Sequence, residues 1–441
     1  MRTLLPLALA LAACGNPVST CPDGGACAPD MTVVRSVPTM SKVKHLVIVI
    51  QENHSFDDHF GRWCTAPTGS NPTCTDGPAC CEAAPAKDPA GYEPRVLDDT
   101  ANGAYSPNHE QACELDEIDG GKMDKFVTSS VCGSPNNWVY ADPTIIAPYW
   151  RLAEQNAIAD RYFQPLAGQS SSNDMYFARA NFVFLDNSFV PASIGQRCNE
   201  TPQSMSYDDQ TIGDLLIGND VPWAFYAEGY DVMKAADAKK TCPDPPPDCE
   251  GGLPTYPCVF DPGDVPFEFY PTIRDKPLYM RDLSQLDADL APGGTLPSVI
   301  YIKGLGYKTE HPSLKVKLSD GPAFILSLLD KFSASPAWAE TLFVVTYDES
   351  GGYFDHIAPP PPSPADHQPY GARIPALFIG PFAARGKVSH TQMEHSSLVK
   401  FIEWNWLGGV TGQLSTRDAI VNNIGSVLDP AATGATVPEM Q

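Results

Sequence analysis

Basic residues are scarce in this sequence. Among 441 residues, 29 are Lys or Arg and 53 are Asp or Glu, which gives a formal net charge of −24. This balance argues against a nucleic-acid partner, because such proteins follow the phosphate backbone with a basic groove. It also argues against passive electrostatic docking to anionic lipid. If the chain acts on an anionic ligand it needs a locally positive site, which a bound metal ion would supply.

Long hydrophobic runs are also missing, apart from one at the N-terminus. There Arg2 precedes an apolar stretch over residues 4–11, which is followed by Ala12, Ala13 and Cys14. The stretch is too short to cross a bilayer as a lasting helix and is typical of a signal peptide. Residues 1–14 are therefore predicted to be a lipoprotein-type signal peptide that ends at a lipidated Cys14. An ordinary signal peptide cut near Ala13 is the alternative.

This N-terminus predicts an exported protein of a bacterial cell envelope. The chain would be a periplasmic or outer-surface lipoprotein, attached to a membrane through Cys14, or it would be secreted. Residues 15–40 are rich in Gly, Pro, Ser and Thr. That composition is typical of a flexible tether between an anchor and a folded domain.

Cysteine is absent after residue 258, although the chain contains 13 Cys in all. Without Cys14 the remaining 12 form an even set, which fits disulfides in an oxidising compartment. Their spacing does not match a zinc ribbon. Six lie within residues 61–145 and three within residues 236–275. Both stretches are predicted to be disulfide-rich insertions in one domain that covers residues 41–430.

Short apolar segments alternate with helical patterns along this domain. Strands are predicted at residues 46–50, 223–226, 298–302, 342–346 and 376–379. Helices are predicted at residues 148–159, 211–217, 322–332 and 395–406. The strands show little polar alternation, as expected of strands that are covered on both faces. The sequence therefore predicts an α/β fold, with a mostly parallel central sheet between helical layers in a three-layer α/β/α sandwich.

Glu52 and Asn53 lie just beyond the end of the first predicted strand. Ligands of open α/β sheets bind beyond the carboxyl ends of the strands. Oxygen atoms of these two side chains could bind a hard cation there. The alternative is that Asn53 or Ser55 only caps a helix that runs through residues 56–60.

Asp348 and Glu349 follow the predicted strand 342–346 in the same way. Two adjacent carboxylates repel each other unless a cation or protons intervene. Gly351 and Gly352 permit a tight turn after them. A solvated acidic turn is the alternative, but two acidic strand ends in one chain favour a divalent metal site. All-oxygen ligation suits Ca²⁺, Mg²⁺ or Mn²⁺.

A run of three serines precedes a predicted helical segment at residues 175–180. A hydroxyl at a helix N-terminus lies among free backbone N–H groups that favour an anion, and a metal ion can lower its pKa. Ser170, Ser171 and Ser172 are all candidate nucleophiles on this basis. The alternative is that Ser171 or Ser172 is the N-cap of the helix.

Three histidines, His109, His311 and His356, are candidates for proton transfer or phosphate binding. His311 and His356 both lie downstream of predicted strand ends. A single histidine is more often without such a role, so none of the three is decisive alone.

Taken together, the ordered motifs resemble those of the bacterial phosphoesterase family that contains phospholipases C and an acid phosphatase. Residues 44–61 resemble the opening motif of that family, and residues 346–356 resemble its late motif. Further matches lie at residues 120–126, 310–312, 372–375, 395–398 and 416–418. The resemblance extends from about residue 42 to residue 430 and implies a fold like that of alkaline phosphatase.

The resemblance also implies a chemistry and a set of site residues. It implies metal-dependent hydrolysis of phosphate esters, with phospholipids as one candidate substrate class, through a serine nucleophile. One divalent metal ion would be held by Glu52, Asn53, Asp348, Glu349 and Ser170. Ser170 would also be the nucleophile, and His109, His311 and His356 would line the phosphate pocket.

The segment around Ser170 departs from the pattern of the family. The family usually has Gly-Pro-Thr or Gly-Pro-Ser followed by Pro-Asn-Arg, whereas this chain has Gln169, Ser172 and Asp174 at the positions of the two Pro and the Arg. This departure leaves an alternative function open. The chain could be a surface lipoprotein that uses the same fold for binding and has lost catalysis.

Overall fold

The computed structural model describes residues 37–199 and 203–440. The predicted signal peptide, the predicted lipidation site Cys14 and residues 15–36 of the predicted tether lie outside these residues. Within the described part of the chain, no helix is both long and apolar enough to cross a membrane.

Eight strands form the central sheet, and four further strands form two small parallel pairs. In chain order the strands are β1 (His45–Gln51), β2 (Arg95–Leu97), β3 (Val139–Ala141), β4 (Ala157–Ala159), β5 (Val190–Pro191), β6 (Ser204–Met205), β7 (Trp223–Ala227), β8 (Met280–Asp282), β9 (Val299–Lys303), β10 (Thr341–Tyr347), β11 (Ala376–Ile379) and β12 (Lys387–Ser389). The order in the central sheet is β12-β4-β11-β10-β1-β9-β7-β8.

The central sheet is mostly parallel, as the sequence predicts. β1 lies in its middle and pairs in parallel with β10 on one side and β9 on the other. β7 and β8 continue in parallel beyond β9. β11 is the exception, because it runs antiparallel to both β10 and β4. The five predicted strands are confirmed to within one residue at each end, since their uninterrupted apolar composition matches burial on both faces.

Helices connect the strands and cover both faces of the sheet. They are α1 (Phe56–Phe60), α2 (Asp99–Ala104), α3 (Gln111–Ile118), α4 (Pro143–Gln155), α5 (Ser170–Arg179), α6 (Ile212–Gly218), α7 (Tyr230–Ala238), α8 (Leu286–Leu290), α9 (Asp320–Ala334), α10 (His395–Trp406), α11 (Arg417–Ile420) and α12 (Pro430–Thr433).

Alternate residues of β1 belong to two separate hydrophobic cores. Ile48 lies in one core together with Leu398 of α10. Val47 and Val49 lie in the other core, together with Leu328 of α9. Because successive side chains of a strand point to opposite faces, α9 and α10 cover opposite faces of the sheet. This arrangement confirms the predicted three-layer α/β/α architecture.

The predicted helix at residues 148–159 is wrong at both ends. The helix α4 begins five residues earlier, where Pro143 occupies its first turn and the side chain of Asp142 accepts a hydrogen bond from the Thr144 backbone N–H at 2.8 Å. It ends at Gln155, and β4 begins two residues later at Ala157. The apolar residues of β4 are strand because β11 and β12 pair with them from either side. Tertiary pairing has overridden local propensity there.

Five disulfides link the described cysteines, which confirms the prediction for ten of them. Three pairs lie in the first predicted insertion, one lies in the second, and one joins residue 198 to the second. The pairs are Cys64–Cys81, Cys74–Cys80, Cys113–Cys132, Cys198–Cys242 and Cys249–Cys258. Cys21 and Cys27 lie outside the described residues.

Replacing Ile48 by alanine should destabilise the protein strongly. Ile48 is fully buried on the central strand, and shortening a buried Ile in a core that cannot collapse lowers the free energy of unfolding by about 2–5 kcal/mol. Urea denaturation followed by far-UV circular dichroism would measure the change. Val232→Ala is the control, because Val232 is 58% exposed and should change the free energy by less than about 0.5 kcal/mol. Equal effects of the two substitutions would contradict the description of the core.

Candidate active site

The carboxyl ends of β1 and β10 bring the two acidic motifs together. The two strands stay in register up to their last residues. The backbone N–H of Asn53 donates to Asp348 Oδ1 at 3.1 Å, and the N–H of Glu349 donates to the same oxygen at 2.7 Å. Glu52, Asn53, Asp348 and Glu349 are all fully buried. The predicted pairing of the motifs at one sheet edge is therefore present.

Asn53 and Ser55 have different roles, although the sequence allows either as the N-cap of the helix that follows. Ser55 is the N-cap of α1, and its Oγ accepts a hydrogen bond from the Asp58 N–H at 3.2 Å. Asn53 instead adopts a left-handed backbone conformation, with φ of 63°. A Cβ on Gly351 would lie 2.3 Å from the Asn53 carbonyl oxygen. Glycine at 351 therefore permits the close approach of the two motifs.

The helix α5 begins at Ser170 and brings this hydroxyl to the acidic edge. Ser170 Oγ lies 3.5 Å from Asn53 Oδ1 and 3.5 Å from Glu349 Oε1. Ser172 Oγ instead donates to the Gln169 carbonyl at 2.7 Å. The N-cap of α5 is Gln169, so the alternative that Ser171 or Ser172 caps the helix is wrong. Of the three serines, Ser170 is the one whose hydroxyl contacts both motifs.

A buried glutamate, Glu114 of α3, ties the loop before Ser170 to the turn after β10. Glu114 Oε2 accepts hydrogen bonds from Gln164 Nε2 and from the Gly168 N–H, both at 2.8 Å. Gln164 Oε1 in turn accepts from the Ser350 N–H at 2.8 Å. Burial raises the pKa of Glu114 well above its usual value. The loop and the acidic turn are thus held by one shared network.

His109 and His311 both reach the site, each with Nε2 left without a proton. His109 Nδ1 donates to the Pro107 carbonyl at 2.9 Å, and His311 Nδ1 donates to the Pro312 carbonyl at 2.8 Å. Since a carbonyl can only accept, Nε2 carries the lone pair of each neutral ring. Burial lowers the pKa of His109 to about 4 and also lowers the pKa of His311.

His109 Nε2 faces the residues that contact Ser170. It lies 3.3 Å from Asn53 Nδ2 and 3.7 Å from Glu349 Oε1. The His311 ring packs edge-on against the Tyr256 ring at a centroid distance of 5.1 Å. These contacts place both histidines around the oxygen cluster.

His356 makes its contacts elsewhere. Its Nδ1 lies 2.7 Å from Asp57 Oδ2, and its Nε2 lies 3.5 Å from Glu82 Oε2. Arg373 joins the same cluster through Asp57, at 2.9 Å. The predicted assignment of His356 to the phosphate pocket therefore has no support from its described contacts.

Burial dominates the electrostatics of the oxygen cluster. It raises the pKa of Asp348 to about 6 and, together with the charges of Asp348 and Glu114, raises the pKa of Glu349 well above its usual value. Burial also disfavours the charged form of Glu52. The nearby charge of Lys303, together with the hydrogen bond from Tyr256, outweighs it and holds the pKa of Glu52 below its usual value.

The donor set of this cluster fits a divalent metal ion. Asp348 Oδ2 is buried without a hydrogen-bond partner. All candidate ligand atoms are oxygens, which suits Mg²⁺, Mn²⁺ or Ca²⁺. A divalent cation would also relieve the repulsion between buried carboxylates, which otherwise favours their protonation. The candidate ligands are Glu52, Asn53, Ser170, Asp348 and Glu349.

Several residues at this site are not among those predicted from the sequence. Lys303, the last residue of β9, lies at the same sheet edge as Glu52, so the rule that found Glu52 could have found it. Tyr256 comes from the second cysteine-rich insertion, and its hydroxyl donates to Glu52 Oε2. No sequence pattern marked it. His395, at the start of α10, donates from Nε2 to the Asp348 carbonyl at 2.8 Å, a contact that only the fold defines.

A buried network supports the turn that carries His311. Glu310 has a φ of 73°, and its carboxylate accepts hydrogen bonds from the hydroxyls of Tyr149 at 2.7 Å and Tyr347 at 2.6 Å. His59 Nε2 lies 3.1 Å from Glu310 Oε2, and His59 Nδ1 contacts Asp58. Burial opposes the charged imidazolium, but Asp58 and Glu310 outweigh it and raise the pKa of His59 to about 9.

The amino-acid sequence of the chain is similar to those of known phosphoesterases. A family model described as the Phosphoesterase family matches residues 43–407. The chain is 24% identical to Phospholipase C B of Mycobacterium tuberculosis over 460 aligned positions, which cover 89% of this chain and 79% of that protein. It is 25% identical to the Hemolytic phospholipase C of Pseudomonas aeruginosa, over 90% of this chain and 57% of that protein.

Solved structures show more distant similarity. A protein in the alkaline phosphatase superfamily from Vibrio parahaemolyticus has a TM-score of 0.36 and 13% identity, and the match covers 88% of this chain and 73% of that one. The phosphonate monoester hydrolase of Agrobacterium radiobacter has a TM-score of 0.34 and 11% identity, over 89% of this chain and 77% of that one.

Stability should fall as the pH rises from about 6.5 to about 9. His59 has a folded-state pKa of about 9 and an unfolded value of about 6.5. Its contribution is therefore complete below pH 6.5 and is lost as the pH rises through the folded value, by up to about 3 kcal/mol. Urea denaturation at a series of pH values would measure this slope.

His59→Gln is the comparison variant for this pH series. It cannot bind the proton, so its free energy of unfolding should fall less steeply over the same range. Glu403, whose pKa burial raises to about 8, contributes a decline common to both proteins. Identical slopes for the two proteins would show that His59 is not the titrating group.

Proposed function

This chain belongs to the Phosphoesterase family and is a hydrolase that acts on phosphate ester bonds, and on that premise we propose that it uses Ser170 as a nucleophile beside one divalent metal ion. The observation that carries the proposal is the position of Ser170 Oγ, 3.5 Å from both Asn53 Oδ1 and Glu349 Oε1. A hydroxyl at the start of a helix, among buried oxygen ligands, is well placed to attack phosphorus.

Five residues would hold the metal ion: Glu52, Asn53, Ser170, Asp348 and Glu349. When bound, the ion would lower the pKa of the serine hydroxyl and offset negative charge that develops on the phosphoryl oxygens. Its identity is proposed to be Ca²⁺, Mg²⁺ or Mn²⁺, because all the ligand atoms are oxygens.

The reaction would proceed in two steps. Attack by Ser170 Oγ forms a bond to phosphorus and breaks the bond from phosphorus to the leaving alcohol. Water then attacks the phosphoserine and regenerates the hydroxyl. The backbone N–H groups of the first turn of α5 favour the phosphate anion in both steps.

We assign the proton transfers to His109 and His311. His109 Nε2 carries a lone pair and faces Asn53 and Glu349, the two residues that Ser170 Oγ contacts. It can therefore accept the serine proton in the first step. His311 is assigned to the leaving-group side, where its Nε2 would take up a proton from solvent and pass it to the departing alkoxide, so the proton balance of the first step closes. His356 is left out of the reacting group because it pairs with Asp57.

The substrate is proposed to be a phospholipid, with a soluble phosphate monoester as the alternative. The phospholipase C names of the two relatives support the first choice. The second corresponds to an acid-phosphatase type of activity. The hydroxyl of Ser170 contacts both motifs, although the residues around it depart from the family pattern. This contact argues against a protein that uses the fold only for binding.

Export to the cell envelope is part of the proposal. Five disulfides among the described residues support an oxidising compartment. Membrane attachment through a lipidated Cys14 rests on the sequence of residues 1–14.

Ser170→Ala should lower turnover by about 1,000-fold or more while the fold is retained, because removal of a nucleophile leaves only the residual effect of binding and charge stabilisation. The assay would use para-nitrophenyl phosphate and, separately, phosphatidylcholine vesicles, so the same preparations also rank the two substrate classes. Ser171→Ala is the matched control and should retain the wild-type rate. Full activity of Ser170→Ala on either substrate would remove Ser170 from the mechanism.

Removal of divalent metal should abolish turnover of both substrates. Dialysis against a chelator followed by addition of Ca²⁺, Mg²⁺ or Mn²⁺ would identify the ion that restores the rate. Asp348→Asn should need a higher concentration of the same ion, because it removes one charged ligand from the cluster. Undiminished turnover after complete chelation, checked by elemental analysis, would contradict the proposed metal dependence.

A further inference from the structure

Lys303 is a buried cation in the middle of the acidic cluster. It is the last residue of β9 and is 3% exposed. Its Nζ lies 2.7 Å from Glu52 Oε1 and 3.9 Å from Asp174 Oδ2. Among the ion pairs of residues 37–199 and 203–440, it is the one basic partner of either acid. A lysine is almost never buried to this extent unless it is paired, so these two acids account for its position.

Asp174 links this lysine to the helix of the proposed nucleophile. It lies four residues after Ser170 on α5, and residues at this spacing lie on the same face of a helix. Asp174 is fully buried, and neither of its carboxylate oxygens has a hydrogen-bond partner. A buried carboxylate without hydrogen bonds is strongly unfavourable unless a cation lies close by. Lys303 is that cation.

Glu52 is held at both of its oxygens. Lys303 contacts Oε1, and the Tyr256 hydroxyl donates to Oε2. The same lysine therefore contacts a proposed metal ligand on the loop after β1 and a carboxylate on α5. No other described ion pair joins these two elements.

We propose that Lys303 is a positioning residue that holds the Ser170 turn of α5 in register with the metal ligands at the end of β1. It acts on Ser170 through Asp174 and on the metal through Glu52. This inference rests on the proposed function, since it assumes that Ser170 and Glu52 take part in the reaction.

The positioning role differs in its consequences from that of a simple counter-ion. A counter-ion only neutralises buried charge, so removing the charge of Asp174 together with that of Lys303 would restore both stability and turnover. A positioning residue is needed for the geometry itself. Removing both charges would then recover stability but leave the Ser170 turn without its anchor.

The test compares Lys303→Met, Lys303→Arg, Asp174→Asn and the double variant Lys303→Met/Asp174→Asn. Lys303→Met should lower kcat by about 100-fold with a smaller change in KM, as expected for a misplaced reacting group. It should also weaken metal binding by about 10- to 100-fold, as loss of a partner that orients a ligand does. Isothermal titration calorimetry with the metal ion alone measures the second effect without any substrate.

Asp174→Asn tests the contact of Lys303 with α5 separately from its contact with Glu52. It should lower kcat but weaken metal binding less than Lys303→Met does, because it disturbs only the Ser170 side and leaves Glu52 paired with Lys303. Lys303→Arg keeps the charge and should retain more of the wild-type kcat than Lys303→Met. The double variant should regain the thermal unfolding midpoint lost in Lys303→Met while kcat stays low.

Two results would overturn the proposal. One is a double variant with the wild-type kcat, which would make Lys303 a counter-ion. The other is a Lys303→Met protein that keeps both kcat and metal affinity. If Lys303→Met does not fold, Asp174→Asn decides alone, and an unchanged kcat overturns the proposal. Failure of the proposed function is separately visible as turnover by Ser170→Ala, whereas the metal titrations require no turnover.

Discussion

The parallel pairing of β1 with β10 is the constraint on which the candidate site depends. Because the two strands stay in register to their ends, the acids that follow them must share one small, buried volume. Four carboxylates, Glu52, Asp174, Asp348 and Glu349, are all buried in this region. Like charges this close cannot all remain ionised without compensation, so the surrounding structure has to supply positive charge, hydrogen bonds or protons.

Different parts of the chain supply that compensation. Backbone N–H groups of Asn53 and Glu349 donate to Asp348, Lys303 arrives from the neighbouring strand β9, and a divalent ion completes the set in the proposed mechanism. The cysteine-rich insertions contribute as well. The first carries His109 and Glu114, and the second, stapled by Cys249–Cys258, carries Tyr256. Segments that lie outside the central sheet therefore contribute residues to the site.

Buried charges are also paired with opposite charges outside the site. His59 is held as an imidazolium between Asp58 and Glu310, and this network fixes the residue before His311. Arg373 and His356 share the buried carboxylate of Asp57. These clusters explain how a chain with few basic residues can bury so many acids. The positive groups lie where the acids are, and the remaining acids lie on the surface or at the proposed metal site.

Local sequence patterns were enough to predict five of the eight described strands of the central sheet, the helices α6, α9 and α10, and the acids at the strand ends. These features follow from local periodicity, from apolar runs that match burial on both faces, and from the rule that ligands bind beyond the carboxyl ends of parallel strands. The fold adds that His356 pairs with Asp57 and that Lys303 and Tyr256 contact Glu52. It also brings Ser170, which the resemblance to the family implied, to the acids. These contacts join residues far apart in the chain, so they depend on strand register and loop packing, which no local pattern encodes.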